Sequence, residues 1–166
     1  MSNENKVLTG SEIMRLGAVK ARETMEAGLG GPFGTVVMKD DKVIAVVSNS
    51  VLIDHDPTAH AEMNAIRAAG KALGTHDLTG CVIYATGYPC PMCMSAIIWA
   101  NIKEIHVSGL PEDADAIGFR DQFIYDYLDK KNEMDESEAP VRVKYEDRNI
   151  ALELYRDYSD NNKEMY

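Results

Sequence analysis

His60, Glu62, Cys90 and Cys93 are the residues of this chain whose types and spacing could do chemistry. One imidazole and two thiols are the nitrogen and sulfur donors that hold zinc, and three protein ligands leave the fourth tetrahedral position to water. Glu62 sits two residues beyond His60, so its carboxylate can reach such a water without being a ligand. It can then take a proton and deliver it elsewhere, as a general acid and base does. Taken alone, Cys90 and Cys93 also fit a thioredoxin-like redox pair, but redox exchange needs neither His60 nor Glu62. A structural zinc site would close with a fourth protein ligand. Cys81 is the candidate for that role, yet it opens an apolar run and reads as a small buried hydrophobe. The expectation is one zinc ion per subunit, held by His60, Cys90 and Cys93, with Glu62 beside it.

These groups need elements to position them. Asp56-Pro57-Thr58 supplies a helix cap and a first-turn proline ahead of an Ala-rich helix over 59–73, which Gly74 ends as a C-cap would. Cys81 to Ala85 reads as a buried strand. Pro89 and Pro91 open a segment, Met92 to Ala100, that is apolar all round and reads as a buried helix with Cys90 and Cys93 at its first turn. Both ligand groups therefore fall at helix N-termini, where free backbone amides and the helix dipole favour thiolates and nearby oxyanions.

Upstream, Thr9-Gly10-Ser11-Glu12 fits a capping box for a helix running to about Ala27. Thr35 to Met38 and Lys42 to Ser48 read as a hairpin turned at Lys39-Asp40-Asp41. Downstream, Glu104 to Ser108 reads as a strand and Asp113 to Leu128 as one or two helices broken near Gly118. Asp129 to Ala139 reads as a charged linker, Val141 to Tyr145 as a last short strand, and Asn149 to Tyr158 as an amphipathic helix. The order helix, hairpin, helix, strand, helix, strand predicts an α/β fold, a three-layer α/β/α sandwich with a mixed central sheet.

The 166 residues suit a single domain with one core. Hydrophobic residues at 45% and charged residues at 27% exclude a disordered or collagen-like chain. Acidic residues outnumber basic ones 27 to 17, and the net charge of −10 disfavours long nucleic acid as a partner. The polar start and the lack of a long apolar run predict a cytoplasmic protein with no membrane contact.

His-Ala-Glu at 60–62, followed after 26 residues by Pro-Cys-Pro-Met-Cys at 89–93, matches the H-x-E and P-C-x-x-C signature of zinc nucleobase deaminases. On these motifs the chain resembles the cytidine and deoxycytidylate deaminase superfamily. With Gly30-Gly31-Pro32-Phe33-Gly34, the run 56–62, Gly118-Phe119, Asp121, Phe123-Ile124-Tyr125 and the ending Lys163-Glu164-Met165-Tyr166, it is similar to the small bacterial guanine deaminases over most of its length. That resemblance implies a cytidine deaminase-like fold and hydrolysis of guanine to xanthine and ammonia. It also implies a homodimer in which a C-terminal segment, 146–166, is exchanged between subunits. Phe33, Asn49 and Trp99 would line the base pocket, and Asp121 and Tyr166 would lie near or across the interface. One departure bears on the base: Tyr88 stands before Pro89-Cys90 where the family usually has Glu.

Several of these residues have plainer readings. Trp99 on an apolar helix could be core, Asn49 turn chemistry, Asp121 a solvated helix residue and Tyr166 a frayed terminus. His55, His76 and His106 show no partner spacing. Cytosine, ammeline or guanosine could replace guanine with the chemistry unchanged. A transfer RNA adenosine deaminase would share both motifs but need a basic track, and a zinc-stabilised binding module would not need Glu62.

Overall fold

The structure is a computed structural model that describes residues 7–131, 133–135, 137 and 139–161. The chain divides into two compact units, Met1–Asp121 and Gln122–Tyr166.

The first unit opens with α1, Gly10–Glu26, started by the expected capping box: the Thr9 side chain accepts from the Glu12 backbone N–H, and the Glu12 carboxylate accepts from Thr9 N–H at 2.8 Å. β1, Gly34–Lys39, and β2, Lys42–Ser48, pair antiparallel through a tight turn at Asp40 and Asp41. Both turn residues take positive φ, 49° and 58°, the hand that matches the twist of the flanking strands. A short helix that sequence periodicity does not announce, α2, Val51–Asp54, follows. Next come α3, Ala61–Leu73, closed by Gly74 at φ 69°, β3, Cys81–Ala85, and α4, Pro91–Trp99. β4, Glu104–Val107, and α5, Pro111–Ala116, complete the unit.

The four strands lie in the order β2-β1-β3-β4. β1 pairs antiparallel with β2 and β3, while β3 and β4 run parallel, with α4 in the connection between them. Alternation along β1 sends Val36 and Met38 to one face, where they meet Ile13 of α1. Val37 goes to the other, among Ala65 and Ala69 of α3, Ile83 and Ala85 of β3, and Ile97 of α4. A mixed sheet with helices on both faces is the α/β/α sandwich expected.

The second unit holds α6, Gln122–Lys130, and α7, Arg148–Asp160. No described residue in it is buried. The strand expected at Val141 to Tyr145 does not form. Val141, Val143 and Tyr145 are exposed, Tyr145 at 95%, and extended backbone without a neighbouring strand leaves both its hydrogen bonds and its side chains to water. No helix among the described residues is long and apolar enough to cross a membrane.

Candidate functional site

Two helix starts build the site. His60 is the N-cap of α3 and Cys90 the N-cap of α4; both have extended backbone, with φ/ψ of −66°/156° and −64°/169°. An N-cap in this conformation swings its side chain clear of the helix barrel, and Pro91 fits the first turn because no N–H is required of it there. Cys93 falls on the inward side of the same turn and is fully buried.

His60 Nδ1 lies 3.6 Å from the Sγ atoms of both Cys90 and Cys93. All three ligand atoms are within 4.8 Å of one another. Zinc bonds of about 2.0–2.1 Å to nitrogen and 2.3 Å to sulfur at a tetrahedral angle require an N···S separation of about 3.6 Å. The donor set and its spacing thus fit zinc. Among the described residues no fourth His, Cys, Asp or Glu joins the group. Cys81 is buried in the apolar core with Ala65, Ile83 and Ile102, as a small hydrophobe would be.

The protonation of the thiols fits a metal site. The adjacent Cys93 thiol, and after it His60, pull Cys90 down to about 4, while the neighbouring Cys90 and burial push Cys93 up. His60 is raised, mainly by its hydrogen bond with Cys90. A metal would take the place of the shared protons.

Glu62 lies in the first turn of α3 and is 7% exposed. Its Oε2 is 3.6 Å from Cys93 Sγ, so the carboxylate stands against the ligand cluster. Burial, the largest effect, and the Cys90 thiolate raise its pKa, while His60 pulls the other way. A carboxyl raised in this way holds a proton more readily than a solvated one and can still give it up, as a proton carrier must.

A cavity of about 620 Å³ opens above these groups. His60, Glu62, Cys90, Phe33, Asn49 and Asp121 all line it, so these six expected residues come together. Phe33 meets Phe119 edge to face, with centroids 4.9 Å apart, and gives the cavity an aromatic wall. The Asn49 side-chain oxygen accepts from Gly31 N–H at 3.0 Å and Val51 N–H at 3.2 Å. With the oxygen held by two backbone donors, the Asn49 amide presents its NH₂ group as the free face. Gly30 has no alternative residue here, because a Cβ would run into the Asn49 carbonyl. Asp121 is raised chiefly by burial, then by the charge of Cys90.

Trp99 does not line this cavity. It is the last residue of α4 and 73% exposed, two positions past the buried Ile97 and so on the opposite side of the helix. Tyr166 lies outside the described residues. Tyr88, noted in the sequence as a departure, does line the cavity. Arg120 also lines it and went unremarked in the sequence, where nothing local separates it from a solvated arginine.

A family model described as the cytidine and deoxycytidylate deaminase zinc-binding region matches residues 9–108. The guanine deaminase of Bacillus subtilis is 48% identical over 113 residues, 68% of this chain and 72% of that protein. An X-ray structure of guanine deaminase from Bacillus subtilis aligns with a TM-score of 0.87 at 35% identity, over 96% of this chain and 99% of that one. A guanine deaminase structure from Nitrosomonas europaea aligns with a TM-score of 0.66 at 31% identity, over 72% of this chain and 69% of that one. The tRNA-specific adenosine deaminase of Aquifex aeolicus is 42% identical over 79 residues, 48% of this chain and 52% of that protein.

Proposed function

Since the chain belongs to the cytidine and deoxycytidylate deaminase zinc-binding family, we propose that it hydrolyses guanine to xanthine and ammonia. One observation carries the choice of a base as substrate: the fixed Asn49 amide shares a cavity with the ligand cluster and Glu62. Likeness to guanine deaminases over nearly the whole chain supports guanine as the base.

His60, Cys90 and Cys93 would hold the zinc. When bound, it supplies Lewis acidity that makes water a nucleophile at neutral pH. Glu62 receives a proton from that water and delivers one to a ring nitrogen. It then takes the remaining proton from the hydroxyl now on the attacked carbon and passes it to the departing amine, so that base and water become the oxo product and ammonia. The buried setting of its carboxyl suits both directions of transfer. The NH₂ group of Asn49 donates to an acceptor on the ring edge, Asp121 accepts from a ring N–H, and Phe33 with Phe119 excludes water from the ring faces.

The same reading makes the protein a homodimer whose C-terminal segment, 146–166, is exchanged between subunits and brings Tyr166 to the partner's site. The exposed apolar residues Ile150, Leu154 and Tyr155 on α7 support it, because such a face gains stability when covered. The three free cysteines accord with action in the cytoplasm, where thiols stay reduced. The likeness to a tRNA adenosine deaminase favours a second reading, against which stands the net charge of −10.

Ammonia release from guanine, guanosine, cytosine, ammeline and an adenosine-containing tRNA stem-loop, with zinc measured in the same sample, tests the reading. Turnover of guanine well above the others is expected. Turnover confined to another substrate would replace guanine.

A further inference from the structure

Asn64 lies in the first turns of α3, one turn beyond His60, and its own backbone N–H closes the bond to the His60 carbonyl at 2.9 Å. Its side chain leaves the helix to grip two separate stretches of chain. Nδ2 donates to the Ser48 carbonyl at 3.0 Å and to Ser50 Oγ at 2.8 Å, with the Ala59 carbonyl at 3.4 Å. The Ser48 carbonyl belongs to the peptide that continues into Asn49, and the Ala59 carbonyl to the peptide that continues into His60. One amide thus bridges the residue that faces the cavity and the residue that starts the ligand cluster.

We propose that Asn64 is a positioning residue: its amide clasps the Asn49 and His60 segments together, so that the base and the metal are held in one frame.

Carbonyl oxygens can only accept, so the side chain facing them must donate, and a primary amide offers two N–H groups from one atom, enough for the Ser48 carbonyl and Ser50 Oγ with the Ala59 carbonyl at longer range. The clasp is itself held in orientation. Arg67 approaches Asn64 Oδ1 at 3.5 Å and donates to Thr58 Oγ1 at 3.1 Å, and Asp56 Oδ1 accepts from both Thr58 N–H and Thr58 Oγ at 2.7 Å. The Ser50 N–H adds a direct tie to the Ala59 carbonyl at 3.0 Å. Neither Asn64 nor Arg67 lines the cavity, so their effect on substrate passes through Asn49 and His60. Groups that orient ligands from behind commonly change metal affinity or activity by 10- to 100-fold when lost.

Asn64→Asp keeps the shape but turns an acceptor toward the acceptors. In the full-length, zinc-loaded protein this variant should release zinc to a colorimetric chelator about tenfold faster. It should also raise KM for guanine about tenfold, while kcat per bound zinc stays within about threefold. Ile13→Val, chosen to lower the melting temperature in the core beside α1, should leave zinc release and KM unchanged well below that temperature. A purely structural Asn64 would behave like it. If Asn64→Asp does not fold, Asn64→Ser, which removes one donor, is read in the same two assays. Zinc release or KM equal to those of Ile13→Val would overturn the proposal, because the clasp must act on both. The KM arm rests on the guanine reading and the zinc arm does not. Should the unaltered protein leave guanine untouched, the guanine reading fails while zinc release still decides for or against Asn64.

Discussion

The two units of this chain treat their apolar side chains in opposite ways. In the first, α1 and the pair α3 and α4 press against the two faces of a four-stranded sheet, and Val36, Val37, Ile83 and Ile97 are wholly enclosed. In the second, α6 and α7 carry amphipathic patterns, yet Phe123, Ile150, Leu154 and Tyr155 are exposed. A close-packed interior holds side chains to fractions of an ångström. That is the setting in which three ligand atoms can be held ready for a metal before it arrives. An open apolar face has burial still to gain, and it suits assembly better than chemistry. The comparison locates the ligand cluster in the first unit and leaves the proposed association to the second, and substitutions in each should separate accordingly.

The largest effect belongs to the first unit. Glu62→Gln should lower steady-state turnover of guanine by 10² to 10⁴, the usual worth of a positioned proton carrier, with zinc content and melting temperature held. Loss of zinc in this variant would mean that Glu62 works as a ligand.

Core truncation comes next. Ile83→Ala should cost about 2–5 kcal/mol in denaturant unfolding, since a fully enclosed side chain leaves a cavity behind. A cost below about 1 kcal/mol would blur the contrast between the units.

Asn49→Ala strips two backbone donors, Gly31 N–H and Val51 N–H, of their acceptor. It should cost about 1–3 kcal/mol of stability and raise KM more than it lowers kcat. An unchanged KM would remove Asn49 from base recognition.

The smallest effect on stability is expected from Leu154→Lys on α7: within about 0.5 kcal/mol for unfolding of the monomer, because the side chain is exposed in the single chain. The same variant should shift the protein from dimer toward monomer in sedimentation. An unchanged mass would show that this face is not the one used in assembly.

The site was more legible in the sequence than the second unit, for physical reasons. Metal chemistry admits few residue types, and the signals placing His60 and Cys90 at helix starts, Pro57, Gly74 and Pro91, act within a few residues. The capping box at Thr9 and the turn at Asp40 and Asp41 are equally local. Trp99 was expected in the pocket from the family resemblance alone, since α4 is apolar on every side and periodicity cannot say which side faces the core. Only the position of Cys93 and Ile97 in three dimensions turns Trp99 outward. Val141 to Tyr145 alternates as a strand does, but alternation records a willingness to pair, and whether a partner strand is present is not local information. α2 and the Arg120 guanidinium have no pattern of their own; α2 starts where Val51 N–H donates to the Asn49 side chain, and Arg120 lies in the loop after α5 that lines the cavity.

The central claim is a zinc ion held by one nitrogen and two sulfurs, with a position left for water. X-ray absorption at the zinc edge of the zinc-loaded full-length protein tests it most directly. The account predicts two sulfurs at about 2.3 Å and two lighter atoms at about 2.0–2.1 Å, one from His60 and one from water. A third sulfur, or a shell of nitrogen and oxygen alone, would contradict it.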